Sequence, residues 1–311
     1  MIRILARGGG EAATPDDPAA LWIDLENPTP EEELSVEKAL GIDVPTPTER
    51  AAFEDSSRFY EENGALFLTA TLLGRRDEGP FISGAVTFVL VKDKLVTVRQ
   101  VRPRAFDVGK TRASARIGSA TNGAGAFMAL LEGVIERHAD LLAETTREMN
   151  AFSASLFSES EQSHDLREHL RALGRIGALT ALVHDSLSSL QRLAAFARHA
   201  CTRHDLDEAL LNVFRRDVEE LEHLAETLQN RIAYLQDATL GLINSMQADV
   251  LKALSVATIA FVPPTLIASI FGMNFTAMTW FQAPWGPWIG FLLMIAAPAA
   301  LFWIAKWRRW F

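Results

Sequence analysis

Cysteine is nearly missing from this 311-residue chain: Cys201 stands alone, so no intrachain disulfide can form. That suits a reducing compartment for whatever part of the chain is soluble. Phosphate-binding glycine loops are missing as well. Gly8, Gly9 and Gly10 lack the Lys-Ser/Thr that would follow, and Gly123 and Gly125 lack the rest of a dinucleotide fingerprint. No Ser/His/Asp, Cys/His or paired-carboxylate constellation is identifiable, which argues against an enzyme. The seven histidines are spread over 138–223 without tight metal-ligand spacing. No cofactor and no nucleic-acid partner are expected.

The largest absence is of charge. From Ala253 to Ala305, 53 consecutive positions hold no Asp, Glu, Lys, Arg or His. Overall values of 49% hydrophobic and 22% charged residues conceal this partition. All 39 acids precede the block together with 27 of the 30 bases, so residues 1–252 carry 27 − 39 = −12. A purely soluble protein, a disordered chain and a disulfide scaffold are thereby excluded.

A bilayer core of about 30 Å takes roughly 20 apolar helical residues, and the block divides into two such lengths. The first runs over 253–273 and the second over 285–305, with a short loop, 274–284, between them. Trp280, Trp285 and Trp288 cluster at one end of the second span and Trp303, Trp307 and Trp310 at the other, as in an aromatic belt. Lys306, Arg308 and Arg309 form a basic tail, 306–311, and the loop has no charge. The positive-inside rule then places both termini in the cytoplasm and the loop outside. A bacterial-type inner membrane is the expected location.

Upstream, residues 1–125 alternate β-prone runs with helical segments. Leu21–Leu25, 65–73, 85–91 and 94–101 are strand candidates, the last two a hairpin turning at Lys92–Lys94. Asn27, Pro28 and Thr29 open an acidic helix start. Residues 126–157 and 164–200 read as helices within a helical section, 126–204. From 205 onward a heptad seam runs through Phe214, Val218, Leu221, Ala225, Leu228, Ile232, Leu235, Thr239, Leu242 and Met246. This predicts a stalk helix, 205–252, that enters the first span without a break, although Gly241 offers a place to divide it. The fold class expected is α+β: an N-terminal cytosolic α/β domain, a long helical stalk and two C-terminal transmembrane helices.

One face of the first span carries Leu251, Leu254, Thr258, Val262, Thr265, Ser269 and Gly272, at steps of three and four. It begins apolar and becomes small and hydroxylated. Such a stripe suits a pore lining or close helix packing, and the residues alone leave both open. Two helices cannot enclose a water-filled path, so transport would require an oligomer. Without transport, the hairpin would anchor a coiled-coil scaffold or sensor.

The segment SIFGMNF ends the first of two C-terminal spans with Gly272-Met273-Asn274. With the long preceding helix and the basic tail KWRRW, it resembles the CorA family of divalent-cation channels, whose signature is Gly-Met-Asn in this place. WIDLENPTPEE, SSRFYEENGALFLTATLL and the TFVL…LVTVR pair are similar to that family's cytosolic domain. The resemblance implies a funnel-shaped homopentamer in the lipid bilayer with five first spans around one pore. It implies a filter of Gly272, Met273 and Asn274, with the hydrated ion held at Asn274 and Met273 packed. It also implies that Leu251, Leu254 and Val262 are apolar pore positions and Thr265 a polar one. Magnesium is the implied substrate, with cobalt or nickel as further cargo; zinc remains open through the family's ZntB branch.

Magnesium is also a regulatory ligand in that family, closing the channel between cytosolic subunits. Asp237 matches a family acid near the pore entrance. The bridging position falls near Val213, with Asp217 one turn on. Glu49, Glu54 and Asp55 lie in the partner helix, but Arg50 stands near the expected acid. Asp249 sits just below the membrane. These departures lead to the expectation that magnesium-dependent closure is weakened or lost. A second departure lies in the loop, where Thr279 and Trp280 replace the usual proline and acid.

Overall fold

Six runs between residues 2 and 99, rich in branched and aromatic side chains, build a single sheet. The computed structural model describes the chain except for residues 9, 51–57, 76–78, 108–115, 118, 157–165, 274–284 and 309–311. Strands β1 (Ile2–Ala6), β2 (Ala20–Glu26), β3 (Phe59–Glu62), β4 (Ala65–Arg75), β5 (Phe81–Val91) and β6 (Lys94–Arg99) take the order β1-β2-β6-β5-β4-β3. Every pair is antiparallel except β2 with β6. The expected hairpin is present: Val91 faces Lys94, with Lys92 at φ 53° in the turn. The edge strands β1 and β3 are additions to the sequence reading. Both are short, and neither shows a run of alternating burial that would distinguish it from a loop.

Both faces of the sheet are covered, so its central strands read as nearly continuous apolar runs. Helix α1 (Pro30–Leu40) starts at Thr29, whose hydroxyl accepts from the Glu32 N–H while the Glu32 carboxylate accepts from the Thr29 N–H. This capping box uses the Asn-Pro-Thr signal seen in the sequence. Val36 and Leu40 of α1 pack with Ile23, Leu25, Phe67, Val89, Val96 and Val98 on one face. On the other, Phe127 of α3 (Gly123–Leu156) stands edge-on to Phe88 at 5.3 Å. Gly123 is required there, since a Cβ would lie 2.4 Å from the Lys94 carbonyl carbon. Helix α4 (Leu166–Ala200) reaches β4, where the Thr71 N–H donates to the Ser189 hydroxyl at 2.8 Å. A single turn, α2 (Pro47–Arg50), precedes the undescribed residues 51–57.

A buried charge network crosses the β2–β6 pair. Arg99 donates through Nε and Nη2 to Asp24, through Nη2 to Glu26 at 2.9 Å and through Nη1 to the Val101 carbonyl at 2.9 Å. Thr97 donates to Asp24 and accepts from the Trp22 indole. Arg102 pairs with Glu26 from the rim. Burial opposes ionisation of Glu26, but the hydrogen bond from Arg102 and the charge of Arg99 win and hold its carboxyl below the usual range.

Helix α5 runs from Glu208 to Gly272, 65 residues, and does not break at Gly241. It passes through two compact units, Met1–Gln236 and Asp237–Phe311. In the first, the seam is buried against α3 and α4. Phe214, Val218, Ala225, Leu228, Ile232 and Leu235 are all buried. Ser188 of α4 donates to Glu222, and Arg231 donates to Asn150 of α3. Thr239 is the last buried seam position, and Met246 is exposed. The heptad pattern therefore serves the domain's own helices over most of its length. In the second unit, α5 is followed by α6 (Gly286–Trp307).

Candidate functional site

Both C-terminal apolar stretches are helices long and apolar enough to cross a membrane. The apolar window of α5 has 0% of its residues buried and that of α6 has 11%. Exposed apolar surface on this scale is not tolerated in water, so lipid or further protein covers it.

The partly covered positions of the first span are Ile259, Pro263, Pro264, Ile267 and Phe271. A Cβ on Gly290 of α6 would come within 3.0 Å of the Phe271 ring, so the small residue lets the two spans approach. At about 100° per residue, this packed face lies roughly half a turn from the stripe Leu251, Leu254, Thr258, Val262, Thr265 and Ser269. The entire stripe is exposed, Leu251 and Leu254 at 62% and Val262 at 56%. Packing against the second span thus occupies one side of α5 and leaves the hydroxylated side free.

The stripe's hydroxyls are not idle donors. Thr258 donates to the Leu254 carbonyl at 2.9 Å and Thr265 to the Phe261 carbonyl at 2.6 Å. Back-bonding in this way spends each hydroxyl proton on the helix and leaves oxygen lone pairs as acceptors. Ser255 does the same toward Leu251. It stands four residues after Leu251 and three before Thr258, and so shares this side of the helix. Near the start of the stripe, Asp249, Leu251, Lys252, Leu254, Ser255 and Thr258 line an open groove. Pro263 and Pro264 lie within the continuous helix. They supply no N–H, so the Ile259 and Ala260 carbonyls lack their usual helical donors.

The helix ends at Gly272, where a Cβ would meet nothing within 4 Å. Packing against the described residues therefore does not demand glycine there. The Met273 N–H reaches the Ile270 carbonyl at 3.3 Å, and its side chain is 53% exposed. No element of the described residues covers the helix end. Asn274, the central residue of the expected filter, lies outside the described residues, as does the rest of the loop.

The candidate regulatory acids are not brought together. Asp217, Asp237 and Asp249 are exposed on α5. Twenty residues of helix separate the first two, about 30 Å. Glu49 is already engaged locally, where its carboxylate accepts from the Thr46 N–H and hydroxyl, both at 2.8 Å. The backbone bond is the larger cause that holds its carboxyl below the ordinary value. Glu54 and Asp55 lie outside the described residues. Arg50 is buried, and burial lowers its guanidinium's affinity for a proton. Val213, at the expected bridging position, is 57% exposed. Among the described residues no group of three or more His, Cys, Asp or Glu side chains is placed to hold a metal ion.

Comparison with known proteins matches residues 18–306 to a family model described as CorA-like Mg2+ transporter protein. The magnesium transport protein CorA of Wolinella succinogenes is 28% identical over 295 residues, covering 93% of this chain and 91% of its own. That of Haemophilus ducreyi is 29% identical over 321 residues and covers both chains fully, 100% each. The complete structure of the CorA magnesium transporter from Methanocaldococcus jannaschii superposes with a TM-score of 0.74 at 17% identity, covering 98% of this chain and 96% of that one.

Proposed function

From the premise that the chain belongs to the CorA family, whose members are transporters and not enzymes, we propose that it is a magnesium uptake channel of the inner membrane. Five copies surround one axial pore. The first spans line it with the stripe from Leu251 to Ser269, and the Asn274 side-chain carbonyls form a ring at its outer mouth. Both termini are cytoplasmic.

The observation that carries this reading is the opposition of two faces on α5. The second span packs beside Ile259, Pro263, Ile267 and Phe271, and the back-bonded hydroxyls lie on the other side. Magnesium releases its waters reluctantly and is best handled with its hydration shell in place. Neutral oxygen acceptors on a pore wall receive hydrogen bonds from those waters without trapping the ion on a fixed charge. Conduction requires binding weak enough to let the ion leave. Leu251, Leu254 and Val262 supply an apolar stretch that closes by dewetting when narrow. A divalent ion moving inward gains about 4.6 kcal/mol per 100 mV, twice the single-charge value, so no nucleotide hydrolysis is required.

Cysteine scanning tests the assignment of faces. Cys201 is the sole native cysteine, and its buried thiol is pushed up first by burial and then by Glu208. Background labelling is therefore low. Thr258→Cys and Thr265→Cys are expected to react with a small charged thiol reagent and to lose uptake on modification. Ile267→Cys is expected to remain unlabelled. Labelling at Ile267 with protection at Thr258 and Thr265 would reverse the faces and end the pore assignment.

Regulation follows from the acids. Val213 at the expected bridging position and Arg50 near its expected partner leave the regulatory site implied by the resemblance without those two carboxylates, and Glu49 beside Arg50 is engaged by Thr46. Closure by cytosolic magnesium is accordingly weakened. Limited proteolysis of the purified protein is expected to change little when magnesium is added. Strong protection would contradict this. Protection equal in wild type and Asp237→Ala would remove Asp237 from any gating role.

A further inference from the structure

A cavity of about 350 Å³ opens on the N-terminal domain where the end of β4 meets the segment after β6. The backbone holds this corner rigidly. Arg75 and Arg102 exchange N–H to carbonyl bonds of 3.3 and 3.0 Å. Gly74 lies so close that a Cβ would stand 2.9 Å from the Arg102 carbonyl carbon.

The lining is crowded with cations. Arg75, Arg102, Arg104 and Arg137 all contribute, against one carboxylate, Asp107. Arg102 is committed to Glu26. Among the described residues, no carboxylate lies within ion-pair distance of Arg75, Arg104 or Arg137. Burial, then the charge of Arg104, presses the Arg137 guanidinium below its ordinary value; Asp140 and Glu144 oppose this and Arg75 adds to it. Three guanidiniums held together with no ion-pair partner among the described residues cost free energy that an anion would recover.

The rest of the wall is organic in character. The Arg75 guanidinium stacks over the Phe81 ring at 4.3 Å, and Arg137 approaches the same ring at 5.9 Å. Leu73, Val134 and Leu141 give an apolar side. His138 also lines the cavity and is 2% exposed. Its Nδ1 bonds the Val134 carbonyl at 2.6 Å, while its Nε2 has no partner among the described residues. Burial first, and Arg137 after it, push the ring down to about 4, so it is neutral at pH 7. With the proton on Nδ1, Nε2 is an acceptor sealed behind the cavity wall.

We propose that this cavity binds a small organic phosphate of the nucleoside-phosphate class, with Arg75, Arg104 and Arg137 on the phosphates and the apolar side of Leu73, Val134 and Leu141 against the organic part. Guanidiniums match phosphate oxygens bidentately. The volume is that of a small-ligand site. This site is separate from the proposed pore and does not depend on the transport reading.

The test is calorimetric titration of the purified full chain, in magnesium-free buffer, with ADP, adenosine and inorganic phosphate. ADP is expected to saturate one site per chain. Phosphate and adenosine are each expected to bind at least about tenfold more weakly, since each keeps only part of the contacts. Arg75 and Arg104 are exposed, so Arg104→Glu and Arg75→Ala should leave the unliganded thermal midpoint unchanged while weakening ADP at least about tenfold. Absence of saturable ADP binding would overturn the proposal. So would equal ADP affinity in wild type and both variants, or phosphate binding as tightly as ADP, which would leave an anion pocket without nucleoside recognition.

Discussion

Asn274→Ala is expected to abolish magnesium uptake while leaving the assembled protein in the membrane. The first span delivers its helix end at Gly272, and Met273 leads directly to Asn274. In the proposed pentamer, five side-chain carbonyls there accept hydrogen bonds from the first-shell waters of one ion. At about 1 kcal/mol for each such bond, a ring of five contributes on the order of 5 kcal/mol to holding the ion at the mouth. Alanine removes every acceptor, so uptake should fall by a factor of about 100 or more. Asn274→Asp separates geometry from charge. It retains the oxygens but adds negative charge, so the ion binds more tightly and leaves more slowly, and flux falls as well. Uptake unchanged in Asn274→Ala would remove the asparagine ring from the account. The loop's lack of any carboxylate sharpens this expectation, because no nearby fixed charge is available to substitute.

Arg99→Ala is expected to produce the largest loss of stability. Arg99 is 2% exposed and is the shared partner of Asp24, at 2%, and Glu26, at 6%. Its removal leaves the buried Asp24 without a cation and Glu26 with Arg102 alone, and frees the Val101 carbonyl. Breaking a buried pair by deleting one partner costs about 3–5 kcal/mol. Lysine should rescue little, because a single ammonium cannot reproduce three directed contacts from one planar fork. Thermal unfolding of the full protein in detergent reads the effect as a clearly lowered midpoint. A midpoint within a degree of wild type would show that the network is not a structural tie.

The same network gives the pH dependence a definite sign. The folded Glu26 carboxyl lies below its unfolded value of 4.5. Its contribution to stability is fully present above that value and is lost as pH falls through the lower, folded one. Arg99 stays charged throughout. Acid should therefore destabilise the domain from about pH 4.5 downward, and Glu26→Gln should flatten that slope.

The parts of this protein that the sequence discloses are those where one physical demand dominates. The uncharged block from Ala253 to Ala305 is legible because hydrocarbon tolerates little else. The hairpin at Lys92–Lys94 and the cap at Thr29 are legible because special backbone geometry selects few residues. The heptad seam is visible as a pattern, but its partner is not. It could belong to a second copy or to this chain, and only the contacts of Ile232, Glu222 and Arg231 with α3 and α4 settle this from Phe214 to Leu235. The stripe from Leu251 to Ser269 is equally ambiguous in sequence between pore and packing. Gly290 against Phe271 shows that packing has another face to use. Glu49 illustrates the opposite case. A carboxylate that the sequence offers only as a candidate regulatory ligand is spent on capping a single helical turn. The arginine-lined cavity has no sequence signature, since its residues come from β4, β5, the segment after β6 and α3.

Uptake into proteoliposomes tests the central claim most directly. The purified chain, reconstituted alone, is given an inside-negative potential and no proton gradient, and magnesium and zinc entry are followed in parallel. The account predicts magnesium influx that rises with the potential, exceeds zinc influx and does not respond to an imposed proton gradient. Zinc influx that exceeds magnesium and depends on the proton gradient would place the chain with zinc carriers of the same architecture. No flux of either ion would leave the two spans as an anchor and contradict the pore outright.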